Sequence, residues 1–176
     1  MKAKTLIVLF TSVLWMSPCL GHPSIKESFE ALKGLAGEWR GNDTLGHDAV
    51  ISFRVTSGGT ALFSELVERN HQAQSLEDDM ITMIHLDGDR LLLTHYCGAG
   101  NQPRMKGVAS PDGKTIAFDF VDATNLPSSR TGHMRRVEIK FLSPDHHTEE
   151  WTFSENGQES KDLFDMWRTT SLREPR

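Results

Sequence analysis
Beyond Gly37 the apolar residues of this chain recur at a period of two, in short runs broken by turn residues. Ile51, Phe53 and Val55 alternate with Ser52 and Arg54, and Ser57-Gly58-Gly59-Thr60 offers a hairpin turn before Ala61 to Glu68. Met80 to Leu86, the turn Asp87-Gly88-Asp89, and Leu91 to Tyr96 repeat the pattern. Lys106 to Ala109 and Thr115 to Asp122 flank Pro111-Asp112-Gly113-Lys114, another turn signal. Val137, Ile139 and Phe141 precede a turn at Ser143-Pro144-Asp145, Trp151 and Phe153 lead to Asn156-Gly157, and a last strand spans about Lys161 to Thr170. Such a chain has eight to ten strands joined by hairpins, with no helical crossover. A meander of that length curls and closes, which removes its aggregation-prone edges. The expected fold is therefore all-β, an antiparallel up-and-down barrel with one short N-terminal helix. A β-sandwich is the competing architecture.

The helix comes first. Ser24-Ile25-Lys26-Glu27 has the form of a capping box, and Ile25, Phe29, Leu32 and Leu35 follow at helical spacing until Gly34 or Gly37 ends the run. Two stretches break the strand rhythm. His71 to Asp79 is polar and ends acidic, as a solvated loop would, and Ala123 to Gly132 lacks periodicity and suits a long loop covering one barrel mouth.

Residues 1–21 read as an address. Lys2 and Lys4 precede the twelve-residue apolar stretch Thr5 to Met16, too short to span a bilayer but suited to a secretory signal, with cleavage expected near Gly21. The mature product is then a single domain, residues 22–176, periplasmic or secreted. No other apolar run approaches eighteen residues, so stable membrane insertion is not expected. Cleavage would leave Cys97 as the sole cysteine, so folding cannot rest on an internal disulfide. With 176 residues the chain has room for one core, and a net charge of −5 argues against a nucleic-acid binder held by phosphate contacts.

Gly37-Glu38-Trp39, directly after a short helix, resembles the Gly-x-Trp signature of lipocalin and calycin-type barrels. In those families an arginine late in the last strand packs over the tryptophan, and Trp167-Arg168 supplies the matching residue here. The resemblance implies that Trp39 and Arg168 are structural, a guanidinium stacked on an indole at the closed end. Leu35 to Gly41 is also similar to the opening of nitrobindin-like barrels, which implies haem ligated by a histidine from a strand late in the chain. The last expected strand here has none; His133, His146 and His147 are the late histidines, the last two in an apparent turn. The segments His95-Tyr96-Cys97 and Asn101-Gln102-Pro103-Arg104-Met105 are similar to those of an uncharacterised family of exported bacterial proteins, which implies a fold and no activity.

The candidate chemistry gathers around residues 83–105. His95, Tyr96 and Cys97 end a strand, Gly98-Ala99-Gly100 lets the chain bend, and Asn101, Gln102 and Arg104 follow with amide and guanidinium donors. Near one end of a barrel this set suits recognition of a carboxylate or carbonyl on a ligand in an apolar cavity. The plain alternative is that these groups satisfy backbone where the sheet bends. His85 shares a face with His95 if the turn after Leu86 has three residues, and not if it has two. Metal chemistry has little to stand on: no Cys-x-x-Cys or His-Glu-x-x-His occurs, and a site from His95, His133 and an acid such as Glu150 would depend on folding alone. Of the adjacent pair Glu149-Glu150, one faces inward by alternation, and Glu150 beside Trp151 is the candidate acid or base.

Two expectations follow. The first is an exported barrel that holds a small, mostly apolar or amphipathic molecule without a cofactor, anchored by His85, His95, Tyr96, Asn101, Gln102 and Arg104. The second is a haem-binding barrel of the nitrobindin kind, or an enzyme using His95 as acid or base. If the chain's own Phe, Met and Trp side chains fill the interior, the protein acts instead through its surface.

Overall fold
A computed structural model describes residues 22–69 and 76–169. The expected signal segment, residues 1–21, lies outside the described residues. At Ser24 the capping box forms: its hydroxyl accepts from the Glu27 N–H at 3.2 Å, and the Glu27 carboxylate accepts from the Ser24 N–H at 2.7 Å. Helix α1 (Ile25–Lys33) follows, and Gly34, not Gly37, ends it. Its buried face carries Phe29 and Leu32, with Leu35 just beyond, and it packs against strands on one end of the sheet.

Ten strands come next: β1 (Gly37–Asn42), β2 (Asp48–Thr56), β3 (Ala61–Arg69), β4 (Leu76–Asp87), β5 (Arg90–Tyr96), β6 (Gln102–Ala109), β7 (Thr115–Thr124), β8 (His133–Ser143), β9 (His146–Glu155) and β10 (Gln158–Arg168). Each pairs antiparallel with its successor, and β1 pairs with β10, so the meander closes into a barrel. Closure excludes the sandwich. Among the described residues no helix is long and apolar enough to cross a membrane.

Several boundaries differ from expectation. The polar stretch expected to loop from His71 to Asp79 is strand from Leu76, because cross-strand pairing with Glu68 and Arg69 outweighs its acidic composition. Residues 70–75 lie outside the described residues. Ala123 and Thr124 extend β7, so the following loop begins at Asn125. Gln102, Pro103 and Arg104 belong to β6 rather than to a mouth loop; Pro103 is tolerated because pairing with β5 has already ended at Arg104. His146 and His147 open β9 instead of lying in the turn.

The end plugged by α1 is closed. Trp39 is buried, and its indole N–H donates to the Leu35 carbonyl at 2.7 Å. The Arg168 guanidinium lies 4.2 Å over that indole and donates to the carbonyls of Ala36 and Gly34, both at 2.8 Å. One side chain thus satisfies the carbonyls left open where α1 ends and ties the last strand to the first. At the seam Gly41 is opposite Met166, and a Cβ there would stand 1.8 Å from the Asp165 carbonyl oxygen, so only glycine lets β1 and β10 approach.

Candidate functional site
The barrel interior is mainly apolar, with Ile51, Leu62, Leu93, Met105, Ile116 and Phe118 among its most deeply buried side chains. A polar column interrupts it. Strand alternation on β9 sends His147, Glu149 and Trp151 inward, at 0%, 4% and 6% exposure. The His147 ring meets Trp39 edge-on at 4.3 Å, and the Trp151 indole N–H donates to one Glu149 oxygen at 3.0 Å. The other Glu149 oxygen, Oε1, has no hydrogen-bond partner, although His147 Nε2 is 3.4 Å away. Both His147 ring nitrogens are likewise unpartnered.

His95 joins this column from β5. Its ring lies 4.5 Å from that of Trp151, its Nδ1 is 2.9 Å from the Thr82 hydroxyl, and its Nε2 is buried without a partner. Burial lowers its pKa to about 4, so the imidazole is neutral at pH 7. Below Trp151 a cavity of about 10 Å³, room for one water-sized group, is bordered by Ser64, Thr82, Glu149 and Trp151 and by the apolar Phe53, Ile84, Leu93 and Ile139. The same indole also lines a pocket of about 260 Å³ that opens to solvent between Leu45, Met134, Phe153 and Asp162. Trp151 lines both spaces.

The outer pocket is walled by the loop between β1 and β2. Asp43 accepts from the N–H groups of Leu45 and His47, and Thr44 exchanges hydrogen bonds with β10, donating its N–H to Asp162 and accepting from the Leu163 N–H. These bonds hold the exposed Leu45 over the mouth.

Of the residues expected to anchor a ligand, two face this end of the interior. His95 belongs to the column. Asn101 is buried and donates to the Gly132 carbonyl at 2.8 Å, joining the β5–β6 and β7–β8 loops, while its own oxygen is buried without a partner. The others lie elsewhere. Tyr96 is half exposed on the outer face, Gln102 accepts from Thr124 and Asn125, and Arg104 forms a two-pronged ion pair with Asp122 on the surface. His85 faces outward as well: Asp87 pairs with Arg90, so the turn is the two-residue Gly88-Asp89, which puts Thr82 rather than His85 on the His95 face. Glu150 points outward to Lys161, and Glu149 takes the inward position expected for one of the pair. His95, His133 and Glu150 therefore do not converge, and among the described residues no group of three metal-ligating side chains exists. His133 is buried near the mouth, its Nδ1 2.7 Å from the Thr131 carbonyl and its ring 4.9 Å from that of Phe120.

Glu149 and His147 were the signals to find. Continuing the parity of Trp151 and Phe153 backward through the chain reaches both, but only once β9 is known to begin at His146. Haem of the nitrobindin kind does not fit these residues. The last strand has no histidine, the buried histidines of the two strands before it, His133 and His147, pack against Phe120 and Trp39, and the space beneath Trp151 holds one small group.

No protein-family model matches the sequence, and no curated protein does so either. Among solved structures, the crystal structure of Rv2717c from M. tuberculosis aligns with a TM-score of 0.59 at 15% sequence identity, covering 81% of this chain and 97% of that one. That likeness supports the barrel architecture and carries nothing about activity.

Proposed function
We propose that this is an exported, lipocalin-like barrel that binds a small amphipathic molecule at its open end. The apolar part of the ligand occupies the pocket between Leu45, Met134 and Phe153, and its polar head passes Trp151 to the column beneath. The observation that carries this reading is the column itself. A barrel serving only as a core has no use for a buried carboxylate and two buried imidazoles with open hydrogen-bonding positions, each of which costs about 1–3 kcal/mol or more to leave unmet. A ligand head bound there restores part of that loss. The pocket, at about 260 Å³, is below the usual range for drug-sized ligands, which favours a small molecule.

Native mass spectrometry of protein purified from its exporting host tests the proposal. A retained small molecule is expected in the wild type and absent from Phe153→Asp, which places a charge at the mouth without entering the deep core. An empty wild-type mass, together with no rise in melting temperature from any of a panel of short-chain amphiphiles, refutes it. An acid–base role for His95 is a second reading, favoured by its neutral state and its free Nε2. Turnover of a bound molecule that stops in His95→Asn while binding persists would establish that reading.

A further inference from the structure
Resting on that small-ligand reading, we propose that the ligand carries a primary amine head, bound as an ammonium against Glu149, Ser64 and Thr82 in the cavity beneath Trp151. The argument begins with the inventory of the cavity wall. Its polar side chains are one carboxylate and two hydroxyls, all less than a tenth exposed. An ammonium has three donors and no acceptor, and these three side chains supply three acceptors. Glu149 Oε1 already lacks a donor: Trp151 takes the other oxygen, and His147 Nε2, 3.4 Å away, makes no hydrogen bond.

Size and charge agree. The cavity admits one water-sized group, which matches an ammonium head and is too small for a carboxylate or phosphate. An anionic head would be buried next to a carboxylate, and the cations that border the two pockets at this end are already paired with acids. Lys161 is paired with Glu150, Arg135 with Glu159, and Arg136 with Asp119 and Glu138. Arg104, expected as the carboxylate anchor, is paired with Asp122 on the outer surface. The Trp151 indole, shared by cavity and pocket, adds a π face for a cation moving inward, and the tail remains in the largely apolar outer pocket.

Isothermal titration calorimetry with hexylamine, hexan-1-ol and hexanoate at pH 7.5 tests the proposal on the wild type, Glu149→Gln and Ser64→Ala. Hexylamine is expected to bind at least tenfold more tightly than hexan-1-ol, with hexanoate weakest. Glu149→Gln should remove the amine's advantage over the alcohol, and Ser64→Ala should weaken the amine several-fold by itself. The serine variant reads the same acceptor set if the glutamine variant fails to fold. Hexanoate binding as tightly as hexylamine, or amine binding indifferent to both substitutions, overturns the amine head while leaving the binding site in place. Binding by none of the three probes overturns the amine head, while the small-ligand reading stands or falls on the native mass and the amphiphile panel.

Discussion

His95 makes the stability of this barrel depend on pH in a calculable way. In the folded protein its imidazole is 2% exposed, and burial lowers its pKa from 6.5 to about 4. In the unfolded chain it titrates near the ordinary value. Between those two values the unfolded state therefore binds more protons, and stability falls as the pH falls. The contribution is complete above about pH 6.5, declines through the window down to about pH 4, and levels off below it. At 1.36 kcal/mol per unit, the loss on going from pH 7 to pH 4 is roughly 3 kcal/mol. Other acids and histidines titrate too, so the effect is read as a difference against His95→Asn. That variant keeps a polar atom near the Thr82 hydroxyl and cannot titrate. Urea unfolding followed by tryptophan fluorescence at several pH values should show the wild type losing roughly 3 kcal/mol more than the variant across this window. Parallel pH profiles for the two proteins would refute the reasoning, as would an imidazole titration midpoint near 6.5 in the folded wild type.

Other substitutions probe the frame. Arg168→Lys keeps the charge but loses the planar stack on Trp39 and the pair of bonds to Gly34 and Ala36; a cost of about 2 kcal/mol is expected, read as a melting temperature lower by roughly 4–8 °C. Gly41→Ala drives a methyl into the Asp165 carbonyl, so a loss of about 3 kcal/mol is expected, with faster hydrogen exchange confined first to β1 and β10. Ser24→Ala removes the cap of α1 and should cost about 1 kcal/mol in chemical denaturation, with ligand binding at the opposite end unchanged.

The parts of this molecule legible from the chain are those with local causes. The capping box needs only Ser24 and Glu27, three residues apart, and it forms. The Asn156-Gly157 hairpin needs two residues that accept positive φ, and both adopt it. Alternation along β2, β5 and β8 marks half-buried strands without knowledge of their neighbours. The site was less legible. Among the proposed anchors, His95 and Asn101 reach the interior end, whereas Tyr96, Gln102, Arg104 and His85 have solvent or surface partners. Their residue types suit a binding site wherever they point, and composition cannot report direction.

What the sequence alone determined is therefore the kind of object this is: one helix, a run of hairpins, and the paired Trp39 and Arg168 for the closed end. The helix and the hairpins follow from backbone preferences and side-chain periods that act over a few residues, whereas the pairing of Trp39 with Arg168 is what the resemblance to lipocalin-type barrels implies. What only the tertiary structure decided is which face of each strand looks inward, and so which acid and which histidines belong to the site. A single residue of turn length at Gly88-Asp89 separates His95 from His85, and the register of β9, which pairs Glu149 with the buried Ile139 and Phe164, puts Glu149 inside and Glu150 outside. Because side chains alternate at a period of two, a shift of one residue reverses every assignment on a strand. Only cross-strand pairing around the closed barrel, completed where Gly41 lets β1 meet β10, removes that ambiguity.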